Sequence, residues 1–216
     1  MQRSLAAVLV ADVAGYSELM GNNAEATLNA LKRLRSEVFR PAVASRSGRV
    51  VKSMGDGWIV LFSAVADAAS CALQIQELLA ADMSRGTPKM LLRLGLHLGD
   101  VIEDDEDVFG DGVNIAARLE ELARPGTIAI SDAVFGSLDG TLRPSFDDAG
   151  EMHLKNISKP IRVWTGGSPS HVPYNVAVKA DRPQIVIQPV QTSDVRAEVI
   201  ELADALTGDV LTYLGA

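Results

Sequence analysis

The stretch VVKSMGDGWIVLF, residues 50–62, constrains the fold more than any other part of the chain. Two apolar runs flank Gly55-Asp56-Gly57, and glycine beside a turn accepts backbone angles that other residues resist. The stretch predicts an antiparallel hairpin, and a hairpin excludes a purely parallel sheet. Turn chemistry accounts for the glycines and for Asp56. It does not account for Lys52, which interrupts the first apolar run.

The neighbouring segments mix strand and helix periods. SLAAVLVADV is a short apolar run ending near Asp12 and reads as a buried strand. In AEATLNALKRLRSEVFRPAVASR, Leu28, Leu31, Leu34 and Val38 recur at helical spacing. A second helix pattern runs from about Ala64 to Met83 and carries Cys71 as a small core residue. In MLLRLGLHLGDVI, leucines alternate with Arg93, Gly95 and His97, the period of a strand. VNIAARLEELARPG reads as a helix stopped by Pro125-Gly126. TIAIS is a further strand, and MHLKNISKPIRVW a closing hairpin around Ser158 to Pro160. Hairpins together with helical crossovers predict an α+β or mixed α/β domain over residues 1–166, not a purely parallel sheet. A Gly/Pro/Ser-rich stretch at about 167–180 has linker composition. A strand–helix segment at 181–216 follows, either the start of a second domain or a terminal element packed on the first.

Charge and cysteine content narrow the function classes. Acidic residues outnumber basic ones by 28 to 20, which excludes a sequence-independent grip on nucleic acid or an anionic membrane. No run approaches the ~20 apolar residues that span a bilayer. The N-terminal apolar run meets Asp12 too soon for a signal peptide, so a cytoplasmic location is expected. Cys71 is the only cysteine, so no intrachain disulfide can form.

Several side chains could carry chemistry. If the first strand and the hairpin are neighbours, Asp12 and Asp56 meet at one sheet edge and offer hard oxygen ligands to Mg²⁺ or Mn²⁺. Their alternative roles are strand-end cap and turn former. Asn114 and Arg118, four apart, share a helix face suited to an anionic transition state. Their alternative is a solvated stripe in which Arg118 pairs with Glu121 or Glu120. Asp107 lies in a run of acids that reads as a solvated loop, and Lys52 could guard a sheet edge. His97, His153 and His171 lack metal-ligand spacing. Neither a GxxxxGK[ST] loop nor a GxGxxG fingerprint is present.

Taken in order, VADVAGYSELM, GRVVKSMGDGWIVLF, DVFGDGVNIAARLEELARPGTIAIS and DAGEMHLKNISKPIRVW resemble the catalytic domain of class III nucleotidyl cyclases, bacterial branch. The resemblance covers roughly Ser4 to Trp164. It implies a ferredoxin-like α+β fold, a mixed sheet with helices packed on one face. It implies that Asp12 and Asp56 bind two divalent ions, Mg²⁺ or Mn²⁺, per site. Lys52 and Asp107 match the adenine-selecting pair, and Asn114 and Arg118 the transition-state pair. Lys155 matches a triphosphate-contacting lysine, and backbone amides from Val13 through Tyr16 and Ser17 would face the phosphates. One position departs from the vertebrate members, which carry a phosphate-contacting arginine where this chain has Asp100. The implied activity is conversion of ATP to 3′,5′-cyclic AMP and pyrophosphate at sites shared across a homodimer. The alternative is a catalytically silent cyclase-like domain that binds nucleotide or dimerises. The tail from about Val176 resembles the start of a TolB-like domain.

Overall fold

Strand β1 (Gln2–Val13) lies at the centre of the sheet, hydrogen-bonded on one side to β3 (Gly57–Phe62) and on the other to β4 (Leu92–Asp104), both antiparallel. Its alternate residues enter two different cores. Ala7, Leu9, Ala11 and Val13 join the larger one, and Ala6, Val8 and Val10 the smaller. A strand covered on both faces needs an uninterrupted apolar run, as AAVLVA is.

The computed structural model describes residues 2–82, 88–104 and 107–167. The expected linker beyond Gly167, the 181–216 segment and His171 lie outside the described residues. Four further strands extend the sheet: β2 (Arg49–Met54) outside β3, and β6 (Ile128–Ser131), β8 (Ile161–Gly166) and β7 (Phe146–Met152) in that order beyond β4. A short β5 (Asp107–Phe109) pairs with the end of β4. Only β4 and β6 run parallel among the described strands.

The helices divide between the two faces. Helices α2 (Ala24–Arg33), α3 (Arg40–Ser45), α4 (Val65–Asp82) and α6 (Asp132–Ser137) line the larger core. Cys71 of α4 is fully buried there, and burial pushes its thiol up to about 12, so it is an inert packing residue. Helix α5 (Asp111–Leu122) packs on the opposite face through Ala116. The mixed α+β sheet is the expected one, with α5 as the exception to helices on a single face. The cause is the two-sided β1, whose second apolar face also needs cover.

Other differences are local. The helix expected at 24–46 is interrupted by a π-helical turn at Leu34–Phe39, where the Arg40 amide reaches back to Arg35. Pro41 follows and has no amide to donate, which favours a widened turn before it. Helix α1 (Tyr16–Asn22) has too few residues for periodicity to reveal it. The closing hairpin begins earlier than expected, with β7 already formed at Phe146. Among the described residues no helix is long and apolar enough to cross a membrane.

The contact between α5 and β4 positions the site. A Cβ on Gly95 would lie 2.2 Å from the Ala116 carbonyl oxygen and 2.2 Å from the Glu120 amide nitrogen. Further along, Gly99 and Gly112 face each other, a Cβ on Gly99 lying 3.0 Å from the Gly112 Cα, so α5 runs antiparallel to β4 with its Glu120 end beside Gly95. Gly95→Ala is expected to destabilise the chain by about 1–3 kcal/mol through overpacking. Gly136→Ala, in a helix with open space around it, is expected to be neutral or slightly stabilising. Urea denaturation of both variants checks this.

Candidate active site

Asp12 stands at the end of β1, directly opposite Gly57 on β3 and Arg93 on β4. Asp56 is in the two-residue turn joining β2 to β3, where Gly55 takes the left-handed angle φ 67 that a tight hairpin wants at its first central residue. Arg35 of the π-helical turn donates to the Gly55 carbonyl oxygen at 3.1 Å and lies over the Trp58 ring. The turn that carries Asp56 is thereby tied to the helical layer. Burial raises the Asp56 carboxyl above the usual range, and the negative charge of Asp12 adds to the rise. The strand register thus brings the two aspartates together, as expected if the elements are neighbours.

These residues fit a divalent cation. Two carboxylates in each other's field gain from a shared cation, and both are hard oxygen donors. Among the described residues no third acid, histidine or cysteine joins them in a metal-sized cluster. That suits Mg²⁺, which typically takes one or two carboxylates and fills its remaining positions with water and phosphate oxygens.

Arg93 and Glu120 were not singled out from the sequence. The Arg93 guanidinium donates to Asp12 Oδ2 at 2.7 Å, and its Nε lies 2.9 Å from Glu120 Oε1. That second contact is ionic, without the alignment of a hydrogen bond. Glu120 is 7% exposed, and burial lifts its carboxyl to about 7 against the opposing pull of Arg93. The signal in the sequence was Arg93 on the polar side of β4, in line with Gly95 and Gly99. A cation on a close-packed face needs anionic partners.

A second group forms elsewhere on the same face. β2 contains a bulge: Val50 pairs with Val60, yet Lys52 pairs with Ile59. The extra residue turns Lys52 onto the face that Ile59 shares with α5, and a regular strand would have sent it to the other. There the Lys52 ammonium donates to both Asp107 oxygens at 2.8 Å. That hydrogen bond, with a second from the Val108 amide, holds the Asp107 carboxyl below its usual range. Asp107 is therefore part of β5 and not of a solvated loop. Lys52 and Asp107 border a shallow groove with Arg49, Ser53 and Glu103.

Asn114 and Arg118 share the outer side of α5. Asn114 is exposed, and Arg118 donates to Glu121, one of its two expected partners. Among the described residues neither makes a hydrogen bond or ion pair with Asp12 or Asp56. Lys155 is exposed in the turn between β7 and β8, beyond the edge of the sheet opposite β2. Tyr16 and Ser17 open α1, where the first amides have no intrahelical acceptors. Asp100 forms an exposed pair with Arg3 at 2.6 Å. His97 Nδ1 lies 2.8 Å from Ser131 Oγ, and burial lowers the ring to about 4, so it is a neutral packing residue.

Residues 2–166 match the family described as the adenylate and guanylate cyclase catalytic domain. The chain belongs to this family. A relative from Rhizobium meliloti named "Putative adenylate cyclase 3" is 38% identical over 224 residues, 99% of this chain and 38% of the relative. An "Adenylate cyclase" of Streptomyces coelicolor is 35% identical over 127 residues, 59% of this chain and 32% of that protein. The cyclase chain thus spans about a third of the length of these relatives. Among solved structures, an adenylate/guanylate cyclase/hydrolase from Silicibacter pomeroyi superposes with TM-score 0.71 at 38% identity, covering 79% of this chain and all of that one. The adenylyl cyclase CyaB from P. aeruginosa superposes with TM-score 0.65 at 22% identity over 79% of this chain and 97% of its own, a likeness of fold.

The raised Glu120 carboxyl has a consequence for this cyclase domain. Its proton is held to a higher pH in the folded chain than at the ordinary value of 4.5 in the unfolded one. The resulting stability is fully present below pH 4.5 and is lost as pH rises through about 7. Glu120→Gln is expected to flatten that decline. Denaturation midpoints of both proteins from pH 4 to 8, in metal-free buffer, provide the check; parallel profiles would assign the decline to another group.

Proposed function

We propose that the chain is an adenylyl cyclase that converts ATP to 3′,5′-cyclic AMP and pyrophosphate in a symmetric homodimer. The observation that carries the choice of base is the Lys52–Asp107 contact: two residues 55 apart in sequence hold a donor and an acceptor side by side. Lysine donates to a ring-nitrogen acceptor of adenine, and aspartate accepts from its exocyclic amine. Guanine carries a carbonyl where adenine has the amine, and would leave the aspartate unpaired. Mismatched polar groups of this kind discriminate strongly.

Asp12 and Asp56 would hold two divalent ions, Mg²⁺ or Mn²⁺, per site. Bound there, such ions would supply acidification of the ribose 3′-hydroxyl and would offset phosphate charge. The hydroxyl oxygen forms a bond to the α-phosphorus, and the bond from that phosphorus to the pyrophosphate oxygen breaks. Asn114 orients the ribose, and Arg118 neutralises charge on the reacting phosphate. Arg118 is free to do so, because its exposed pair with Glu121 is worth no more than about 1 kcal/mol. Lys155 and the first amides of α1, at Tyr16 and Ser17, would hold the triphosphate.

Within one chain the aspartates do not touch Asn114 or Arg118. The reading therefore takes the two groups as half-sites, each completed by the partner chain in an isologous dimer. An enzyme that uses ATP in this way fits a cytoplasmic location.

Incubation of the purified chain with ATP or GTP, and Mg²⁺ or Mn²⁺, is expected to give cyclic AMP from ATP and no product with Asp56→Ala. Nucleotide binding without any cyclic product would favour a silent regulatory domain. Arg118→Ala is expected to lower turnover by ~100- to 1,000-fold. Mixing Asp56→Ala with Arg118→Ala chains restores one intact site per heterodimer. Absence of rescue, with subunit exchange shown independently, would sink the shared site.

A further inference from the structure

We propose that Arg93 is a positioning residue for the metal-binding carboxylates, and that Glu120 of α5 holds it in place. The inference rests on the reading of Asp12 and Asp56 as metal ligands and names what orients one of them.

Three features of the chain converge on this role. First, Asp12 and Arg93 are direct cross-strand partners, so their side chains leave the sheet on the same face. Second, the two oxygens of Asp12 face different ways. Oδ2 accepts from Arg93, and Oδ1 lies toward Gly57, 3.6 Å from where a Cβ there would sit. Gly57 follows Asp56, so the oxygen that Arg93 leaves free is the one on the hairpin side. Third, the guanidinium is gripped from behind. Glu120 reaches Nε because Gly95, the next residue on that face of β4, has no side chain to keep α5 away.

The charges support the same arrangement. Without Arg93, the carboxylates of Asp12 and Glu120 would lose the cation that lies between them. Arg93 supplies the charge, and its planar fork fixes the carboxylate in a way that a flexible ammonium does not. Groups that orient a metal ligand from behind typically change metal affinity 10- to 100-fold when removed. Glu120 contacts Nε and Asp12 accepts from a terminal nitrogen, so the ionic contact to Glu120 does not compete for the nitrogen that serves Asp12.

The test is Mn²⁺ binding to the purified full chain, read from the electron paramagnetic resonance signal of free Mn²⁺. Four proteins are compared: the parent, Asp56→Ala, Arg93→Lys, and the double variant Arg93→Met with Glu120→Gln. The double variant removes the guanidinium without leaving Glu120 as a buried unpaired charge. It is expected to bind Mn²⁺ ~10- to 100-fold more weakly than the parent. Arg93→Lys is expected to show a smaller loss, and it decides alone if the double variant does not fold. In turnover, the Mn²⁺ concentration for half-maximal rate rises by the same factor, while the KM for ATP at saturating Mn²⁺ is unchanged. A merely structural role would not separate these two constants. Folded variants with Mn²⁺ affinity equal to or tighter than the parent overturn the positioning role and leave the metal reading intact. Equal binding by the parent and Asp56→Ala overturns both.

Discussion

A side chain at residue 95 would strike the backbone of α5 at Ala116 and Glu120, so the helix lies directly on β4 because the strand has none there. Much of the candidate site follows from that contact. It seals the second face of β1, where Ala6, Val8 and Val10 would otherwise meet water. It brings Glu120 to Arg93 and thereby to Asp12. It also fixes which residues of α5 remain outside. With Ala116 and Leu119 against the protein, Asn114 and Arg118 lie along the outer edge.

The reactive charges of this cyclase domain are held in internal pairs. Asp12 is paired with Arg93, Lys52 with Asp107, and Arg118 with Glu121. The last two are partly exposed, and such pairs are worth about 0–1 kcal/mol. A nucleotide that offers each member a better partner can replace them at little cost. The Arg93 pair is different in kind. Its second carboxylate is buried, and a buried charge stripped of its partner is costly. Arg93 therefore belongs to the scaffold, whereas the pairs of Lys52 and Arg118 are partly exposed, as the proposed nucleotide contacts require.

Most of the sheet was legible in the sequence, because the strands of this core announce themselves by long apolar runs. The meeting of Asp12 with Asp56 was legible as a consequence of pairing the first strand with the hairpin. What escaped was set by tertiary contacts. The β2 bulge leaves no mark in VVKSM, yet it decides which face Lys52 takes. The short β5 is hidden behind a run of acids, since three residues beginning with Asp107 are too few to read as a strand and pairing with β4 is what orders them. The π-helical turn changes no apolar spacing strongly enough to be seen, although Pro41 marks where it must end. Helix α5 was found by its period, but not the face it would cover. That depended on Gly95 and Gly99, whose alternation along β4 reads equally well as a weak strand. The pairing of Arg93 with Glu120 was invisible for the same reason, since it exists only once the helix and the strand touch.

The position of α5 has a further bearing on the proposed dimer. Arg118 and Glu120 are two residues apart, and side chains at that spacing leave a helix in different directions. Glu120 turns inward to Arg93 and so to the aspartates of its own chain. Arg118 turns outward, and in the proposed dimer it would face the site whose aspartates the partner supplies. On that proposal one helix of twelve residues would contribute to both shared sites, through its inner side to one and through its outer side to the other. A shift of α5 along β4 would disturb Arg93 and the aspartates through Glu120, and would displace Arg118 at the same time. The glycine contacts at residues 95, 99 and 112 resist such a shift, because any side chain sliding over them meets backbone. The same close packing that seals the core therefore holds Arg118 and the Asp12–Arg93–Glu120 group in a fixed relation, as the proposed half-sites require.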